Sequence, residues 1–347
     1  MGNPEPETTR ALDKLRELGL LTYSEKLGYK LQSSAGQEWQ RERDARPVTS
    51  EEISHIVGEK LKELIGTLDR PRYKGKPFPW AVLYSDGRRH QDERLQMPSD
   101  AAVVTVDMRY LTTSEERNQA AWVQASDSAP FRDRLIWMVG QPGTLPSLLR
   151  DLARSLSMVS RYGARAQSLP RERQRLFFEE QSRCEDLEHR AQTAVAQAFM
   201  DGELYYRGRA IDTRQHGATF ATVLHCVAEE ILPDLYSHYI DIAITPGELA
   251  QLLEPNLSGP SPKFMPTGLG ILELDAGKYV PTCNGQVPAR IAQYIKDKDG
   301  ISGNSLLADF GGSPYGYPAD VIKACLAGLL RAGTGVGKEP RKISVGR

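Results

Sequence analysis

Apolar positions recur along the first half of the chain at helical and strand spacings in turn. Leu12, Leu15 and Leu18 mark a helix, Gly19 supplies its stop, and two short strands are predicted around Ser24-Glu25-Lys26. Thr49 and Glu52 have capping-box spacing, and Ile53, Ile56, Val57, Leu61 and Leu64 share one face of the helix they open. The run Ala101–Val106 is apolar and β-branched throughout, as suits a strand covered on both faces. Thr113 and Glu116 form a second capping box, predicting a helix through Ala120 and Trp122. A second buried strand is expected over Leu135–Val139, followed by a helix carrying Leu145, Leu148, Leu149, Leu152 and Leu156. Strand, helix, strand, helix predicts a small sheet with parallel pairs.

From Pro170 to Met200 the pattern is one long helix, too charged on most sides to lie at the centre of a core. Gly202–Asp212 reads as a hairpin, and Phe220, Val223, Leu224, Val227, Ile231 and Leu232 define an apolar helix broken near Pro233. Thr245-Pro246-Gly247-Glu248 combines an N-cap, a proline at the first helical position and a capping-box glutamate. Ser258–Gly270, dense in proline and glycine, is expected to be a loop or linker, and Ile271–Val280 a hairpin turning at Asp275-Ala276-Gly277. Three helices close the chain, over Ala289–Lys296, Asn304–Phe310 and Pro318–Ala332, the last two separated by the turn Gly311–Tyr317.

The fold class expected is α+β, helix-rich and multi-domain, with winged-helix-like modules at both ends and a small α/β domain between. The divisions fall at 1–48 (the C-terminal part of a winged-helix-like unit), 49–160 (the α/β domain) and 161–200 (the long charged helix). They continue with 201–280 (a helical domain with hairpins) and 281–347 (a winged-helix-like domain with a truncated wing). A helix running into a hairpin is how a winged helix ends. The first 48 residues lack the two helices that should precede it, so the chain is expected to be cut from a longer protein.

Composition narrows the class. With 347 residues, 40% of them hydrophobic and 26% charged, the chain can build two or three cores. No apolar window reaches membrane-spanning length, and the opening MGNPEPETTR is polar and acidic, unlike a secretory signal. Cys184, Cys226, Cys283 and Cys325 are far apart, with no histidine at zinc-ligand spacing, so four reduced thiols and a cytoplasmic location are expected. A net charge of −1 argues against a chain that coats nucleic acid throughout. The charge is uneven all the same: five arginines and one glutamate lie between Arg161 and Arg175, and an acidic stretch follows over Glu179–Glu188. Such a segment reads as a solvated helix before it reads as a phosphate stripe.

Few residues suggest chemistry. Gly333-Thr-Gly-Val-Gly337-Lys338 resembles a phosphate-binding loop, but position 332 is alanine, Glu339 replaces the magnesium-binding hydroxyl, and the segment follows a helix rather than a strand. Asp107, two residues before Arg109 at a strand end, faintly matches a nuclease pattern. Arginine is a poor stand-in for a catalytic lysine, and an ion-paired aspartate is the simpler reading. His225 and Glu229 share a helix face at i, i+4, as in an ordinary surface pair. No catalytic, cofactor-binding or metal-ligating residue is therefore assigned. On the last helix, Val321, Ile322, Cys325, Leu326, Leu329 and Leu330 form the side expected to be buried. Lys323, Ala327 and Arg331 form a lane on the other side. With Lys338, Arg341 and Lys342 of the tail, this lane is the candidate contact surface for duplex DNA or a protein partner.

Three stretches together resemble one family: GYKLQSSAGQEWQRER (28–43), VPARIAQYI (287–295) and above all SGNSLLADFGGSPYGYPADVIKACLAGLLRAG (302–333). In order, and across most of the chain, they are similar to the non-catalytic part of the large P-loop ATPase of BREX phage-defence systems, the BrxC/PglY family. The resemblance implies a parent whose nucleotide-binding domain lies N-terminal to these residues and uses ATP and magnesium. It also implies partners among the other defence components, including a DNA methyltransferase, and no membrane. The phosphate-binding loop itself is absent, so no ATP-site residue carries over. The function expected is a non-catalytic interaction and DNA-docking fragment. The alternative is a metal-dependent nucleic-acid enzyme using Asp107.

Overall fold

The computed structural model describes residues 5–17, 21–24, 28–31, 33–88, 92–141, 143–298 and 300–333. The fold is α+β and helix-rich, with a mixed sheet at its centre. The chain opens with helix α1 (Glu5–Glu17), the hairpin β1 (Leu21–Ser24) and β2 (Gly28–Leu31), and helix α2 (Ser34–Asp44). Helix α3 (Ser50–Gly66) starts at the capping box expected: the Thr49 side chain accepts the Glu52 N–H, and Glu52 accepts the Thr49 N–H.

Six strands make the central sheet: β5 (Trp80–Ser85), β6 (Glu93–Gln96), β7 (Val104–Arg109), β8 (Arg134–Met138), β9 (Glu203–Tyr206) and β10 (Arg209–Asp212). A small hairpin, β3 (Arg72–Tyr73) and β4 (Lys76–Pro77), precedes them. The spatial order is β10-β9-β8-β7-β5-β6, with β5, β7 and β8 mutually parallel and the other pairings antiparallel. β7 begins three residues later than the apolar run predicts. Helix α4 (Gln119–Ser126) starts not at the Thr113–Glu116 box, which forms as a turn, but at Asn118, whose side chain accepts the Ala121 N–H.

The sheet's two faces differ. Val104, Val106 and Met108 of β7 and Leu135 and Trp137 of β8 point into the main core with α3, α5 (Leu145–Gly163), α6 (Arg171–Met200) and α7 (Phe220–Leu235). Trp137 stacks on Phe220 with centroids 4.5 Å apart. Thr105, Asp107 and Arg109 alternate onto the opposite face, where Ile136, Met138, Tyr205, Trp122 and Phe131 form a smaller cluster.

Two expectations are corrected by this packing. The long helix α6 is not peripheral: Phe177, Glu180, Cys184, Leu187, Ala191, Val195 and Ala198 run along it as a narrow buried stripe. Its many charges occupy the remaining, wider surface, which is why the averaged pattern looked solvated. Nor do residues 201–280 form a separate unit, because β9 and β10 extend the same sheet and α7 fills the same core.

A second core begins near Ile244 and contains α8 (Pro246–Leu253), the hairpin β11 (Leu272–Asp275) and β12 (Lys278–Pro281), α9 (Gln286–Asp297), α10 (Gly303–Gly311) and α11 (Ala319–Ala332). The boundary therefore falls near 240 rather than at 281. Ser258–Gly270 is the loop expected, with one short 3-10 turn at Pro262–Phe264, but no linker: Phe264 and Leu269 are buried in this core, and Gly270 packs against Gly285 so closely that a Cβ there would stand 2.7 Å from its Cα.

The two cores meet at the turn between α10 and α11. Ser313 Oγ donates to the Leu235 carbonyl, the His238 N–H to the Pro314 carbonyl, and Lys76 Nζ to the Gly316 carbonyl. From the β3–β4 hairpin, Lys74 Nζ reaches the Tyr239 carbonyl at 3.1 Å, and the Lys76 ammonium lies over the Phe78 and Tyr239 rings. Burial depresses the Lys76 ammonium below its ordinary pKa, opposed by Asp100.

Candidate functional site

Strand alternation puts Asp107 and Arg109 on the same face of β7, and the parallel neighbour β8 brings Arg134 beside them. Arg109 Nη2 donates to Asp107 Oδ2 at 2.8 Å, and Arg134 Nη1 reaches the same oxygen at 3.3 Å. Asp92, just before β6, accepts from both guanidiniums, at 3.3 Å from Arg109 and 2.9 Å from Arg134. Trp122 of α4 and Phe131 cover the Arg109 guanidinium, their centroids 4.8 and 5.3 Å from its central carbon.

Two carboxylates and two guanidiniums make a charge-balanced quartet. Asp107 is fully buried, and its Oδ1 has no hydrogen-bond partner among the described residues. Burial pushes its carboxyl above the ordinary aspartate value, against the pull of Arg109 and Arg134. A divalent cation placed on Oδ2 would stand against two positive charges already there. Among the described residues no three His, Cys, Asp or Glu side chains converge as a metal site. The arrangement can hold strands β7 and β8 and the loop before β6 together.

The lane on α11 is not the exposed stripe expected. Lys323 is exposed and pairs with Asp320 one turn back at 3.0 Å. Ala327 is buried, only 7% exposed. Arg331 folds across to the end of α8, donating to the carbonyls of Leu252, Glu254 and Pro255. The buried side of α11 is rotated toward its small residues, because Ala324, Ala327 and Gly328 allow close approach. A Cβ on Gly328 would meet Ile271 at 2.3 Å. Leu330, expected inside, is 53% exposed, and Leu253 at the end of α8 is 68% exposed. Lys338, Arg341 and Lys342 lie outside the described residues, as does the glycine-rich tail beyond Gly333, which closes α11 with φ +66.

His225 and Glu229 pair at 3.3 Å as the spacing predicts, and Glu229 also accepts the Arg72 N–H. Sequence reasoning did not anticipate a second buried polar knot. Trp39 Nε1 and Arg43 Nε on α2 donate to the two oxygens of the buried Glu180 on α6 at 3.1 and 3.2 Å, and Arg43 also bonds Ser155 Oγ of α5. The i, i+4 spacing of Trp39 and Arg43 was the available signal; their partner is 137 residues from Arg43.

No helix among the described residues is long and apolar enough to cross a membrane. No protein-family profile, curated protein or solved structure matches the chain.

Proposed function

We propose that this chain is a non-catalytic interaction region of a BREX-type phage-defence ATPase, docking other defence components, a DNA methyltransferase among them, and weakly touching duplex DNA. The supporting observation is what the residues behind the resemblance do. Trp39 and Arg43 knot α2 to α5 and α6, and the Gly311–Tyr317 turn joins the two cores. Trp39, Arg43 and Ser313 position helices, their side chains committed to these joints. Outside the joint, Leu253 at the end of α8 and Leu330 on α11 are large apolar side chains left exposed, and this reading takes them as contacts for a protein partner. The unit α9–α10–α11 is read as winged-helix-like. Its DNA contact rests on Lys323 and the tail cations Lys338, Arg341 and Lys342, with Ala327 and Arg331 withdrawn from the lane. ATP and magnesium belong, on this reading, to a nucleotide domain of the parent.

Co-purification with the methyltransferase of a BREX system tests the docking role. Wild type should co-elute in size-exclusion chromatography, and Leu253→Glu with Leu330→Glu should abolish co-elution. Wild type that runs apart from the methyltransferase would remove the reading.

A further inference from the structure

A cleft of about 280 Å³ opens beyond the carboxyl ends of β5 and β7, between the first turns of α3 and α5. Ligands of sheets with parallel strands gather at this end, where loops and helix starts converge. The polar lining includes Ser54, Asp86, Arg88, Tyr110, Thr112 and Arg150. Arg88 and Arg150 are exposed, and among the described residues neither guanidinium is in an ion pair. Tyr110 is only 5% exposed, and its hydroxyl has no hydrogen-bond partner among the described residues. Burial pushes that phenol up to about 12, and the charges of Arg150 and Arg88 draw it back.

The surroundings favour an anion. Asp86 also lines the cleft, its Oδ1 accepting the Arg88 N–H at 3.0 Å with Gly87 between them at φ +77, and its one charge is outnumbered by the two guanidiniums. Helix α5 has no side-chain cap at Thr144 and no acid in its first turn, so its positive end is left unneutralised beside Arg150. The start of α3, by contrast, is neutralised by its own capping box.

We propose that this cleft binds a small phosphate monoester, gripped by Arg88, Arg150 and the Tyr110 hydroxyl. Donors from separate elements suit a tetrahedral dianion better than a planar carboxylate, which a single guanidinium fork satisfies. The volume lies at the small end of ligand pockets, which begin at about 300 Å³, and so favours a small metabolite over a polymer. This site is independent of the docking role.

Isothermal titration of the full chain with glycerol 3-phosphate, inorganic phosphate and acetate tests the assignment. Saturable binding is expected for both phosphates, tighter for the ester, and none for acetate. Arg88→Gln and Arg150→Gln should each weaken it roughly tenfold, as loss of one charge-assisted bond does. Both arginines are exposed, so circular dichroism and melting temperature should stay at wild-type values. Tyr110→Phe should weaken binding by a smaller factor. The proposal is overturned by no saturable heat with either phosphate, by undiminished affinity in the double arginine variant, or by acetate binding as tightly. Binding of inorganic phosphate that excludes the ester would overturn the monoester assignment.

Discussion

Asp107 and Arg109 stand two residues apart on one strand and close an ion pair of 2.8 Å across the same face of the sheet. The strand's period of two makes that pairing local, whereas Arg134 and Asp92 reach it only through tertiary structure. Asp107→Asn preserves shape and removes charge, leaving Arg109 buried against Asp92 alone. Urea denaturation should show a loss of about 2–3 kcal/mol, a little below the usual cost of breaking a buried pair because Arg134 is partly solvated. An unchanged midpoint would mean the quartet contributes nothing. Magnesium-dependent DNA cleavage by wild type, lost in a still-folded Asp107→Asn protein, would favour the enzymatic alternative.

Gly316 adopts φ +63 where a Cβ would stand 2.9 Å from the Tyr236 ring. Gly316→Ala should therefore destabilise the protein by about 1–3 kcal/mol, combining left-handed backbone strain with overpacking. Thermal melting of this variant beside Gly303→Ala, where a Cβ meets nothing within 4 Å, separates the contact from a general effect of glycine replacement.

The two cations of α11 should behave differently. Arg331→Ala strips donors from three carbonyls at the end of α8 and should cost about 1–2 kcal/mol of stability with little change in DNA affinity. Lys323→Glu should leave stability near wild type and weaken DNA binding, flattening its salt dependence by roughly 0.9 counterion per lost phosphate contact. Fluorescence anisotropy across a salt series reads both. Equal DNA affinity in the Lys323→Glu variant would remove this helix from the contact.

Glu248 carries a pH signature. The Thr245 backbone N–H, with Ser261 and Lys263, draws its carboxyl from 4.5 down to about 2. A depressed folded pKa gives stability that is present above 4.5 and lost as pH falls through 4.5 towards 2. The melting-temperature gap between wild type and Glu248→Gln should accordingly narrow over that window. A gap that is constant with pH would disconnect the capping box from it.

All four cysteines are free, and only Cys226 is exposed. Burial raises the thiols of Cys184 and Cys283 to about 11, and it raises that of Cys325 as well. Under native conditions a disulfide reagent should titrate Cys226 rapidly and the others only on unfolding. Fast reaction of a second thiol would contradict the packing of one of the cores.

Local chemistry was legible in the sequence. The Thr49 and Thr245 capping boxes form as their spacing predicts, because both partners of each lie within one helical turn. Strand β5 is too short a run for periodicity to single out, although Trp80–Tyr84 is apolar, preceded by Pro79 and followed by an Asp-Gly turn. The face of α11 was misjudged because hydrophobicity marks leucines as buried, whereas Ala327 and Gly328 are inside for their smallness. The quartet around Asp107 and the knot at Glu180 unite residues far apart in sequence, and no periodicity encodes such meetings. The cleft beside Tyr110 is a product of topology alone, since it exists only where β5 and β7 end side by side.

Lys74 and Lys76 sit in a hairpin that ends two residues before β5, the strand between β6 and β7. Lys74 holds the Tyr239 carbonyl just after α7, and Lys76 holds the Gly316 carbonyl between α10 and α11, so the second core is joined to the root of an inner strand. The turn between α10 and α11 thereby becomes a direct neighbour of a hairpin that lies 240 residues earlier in the chain.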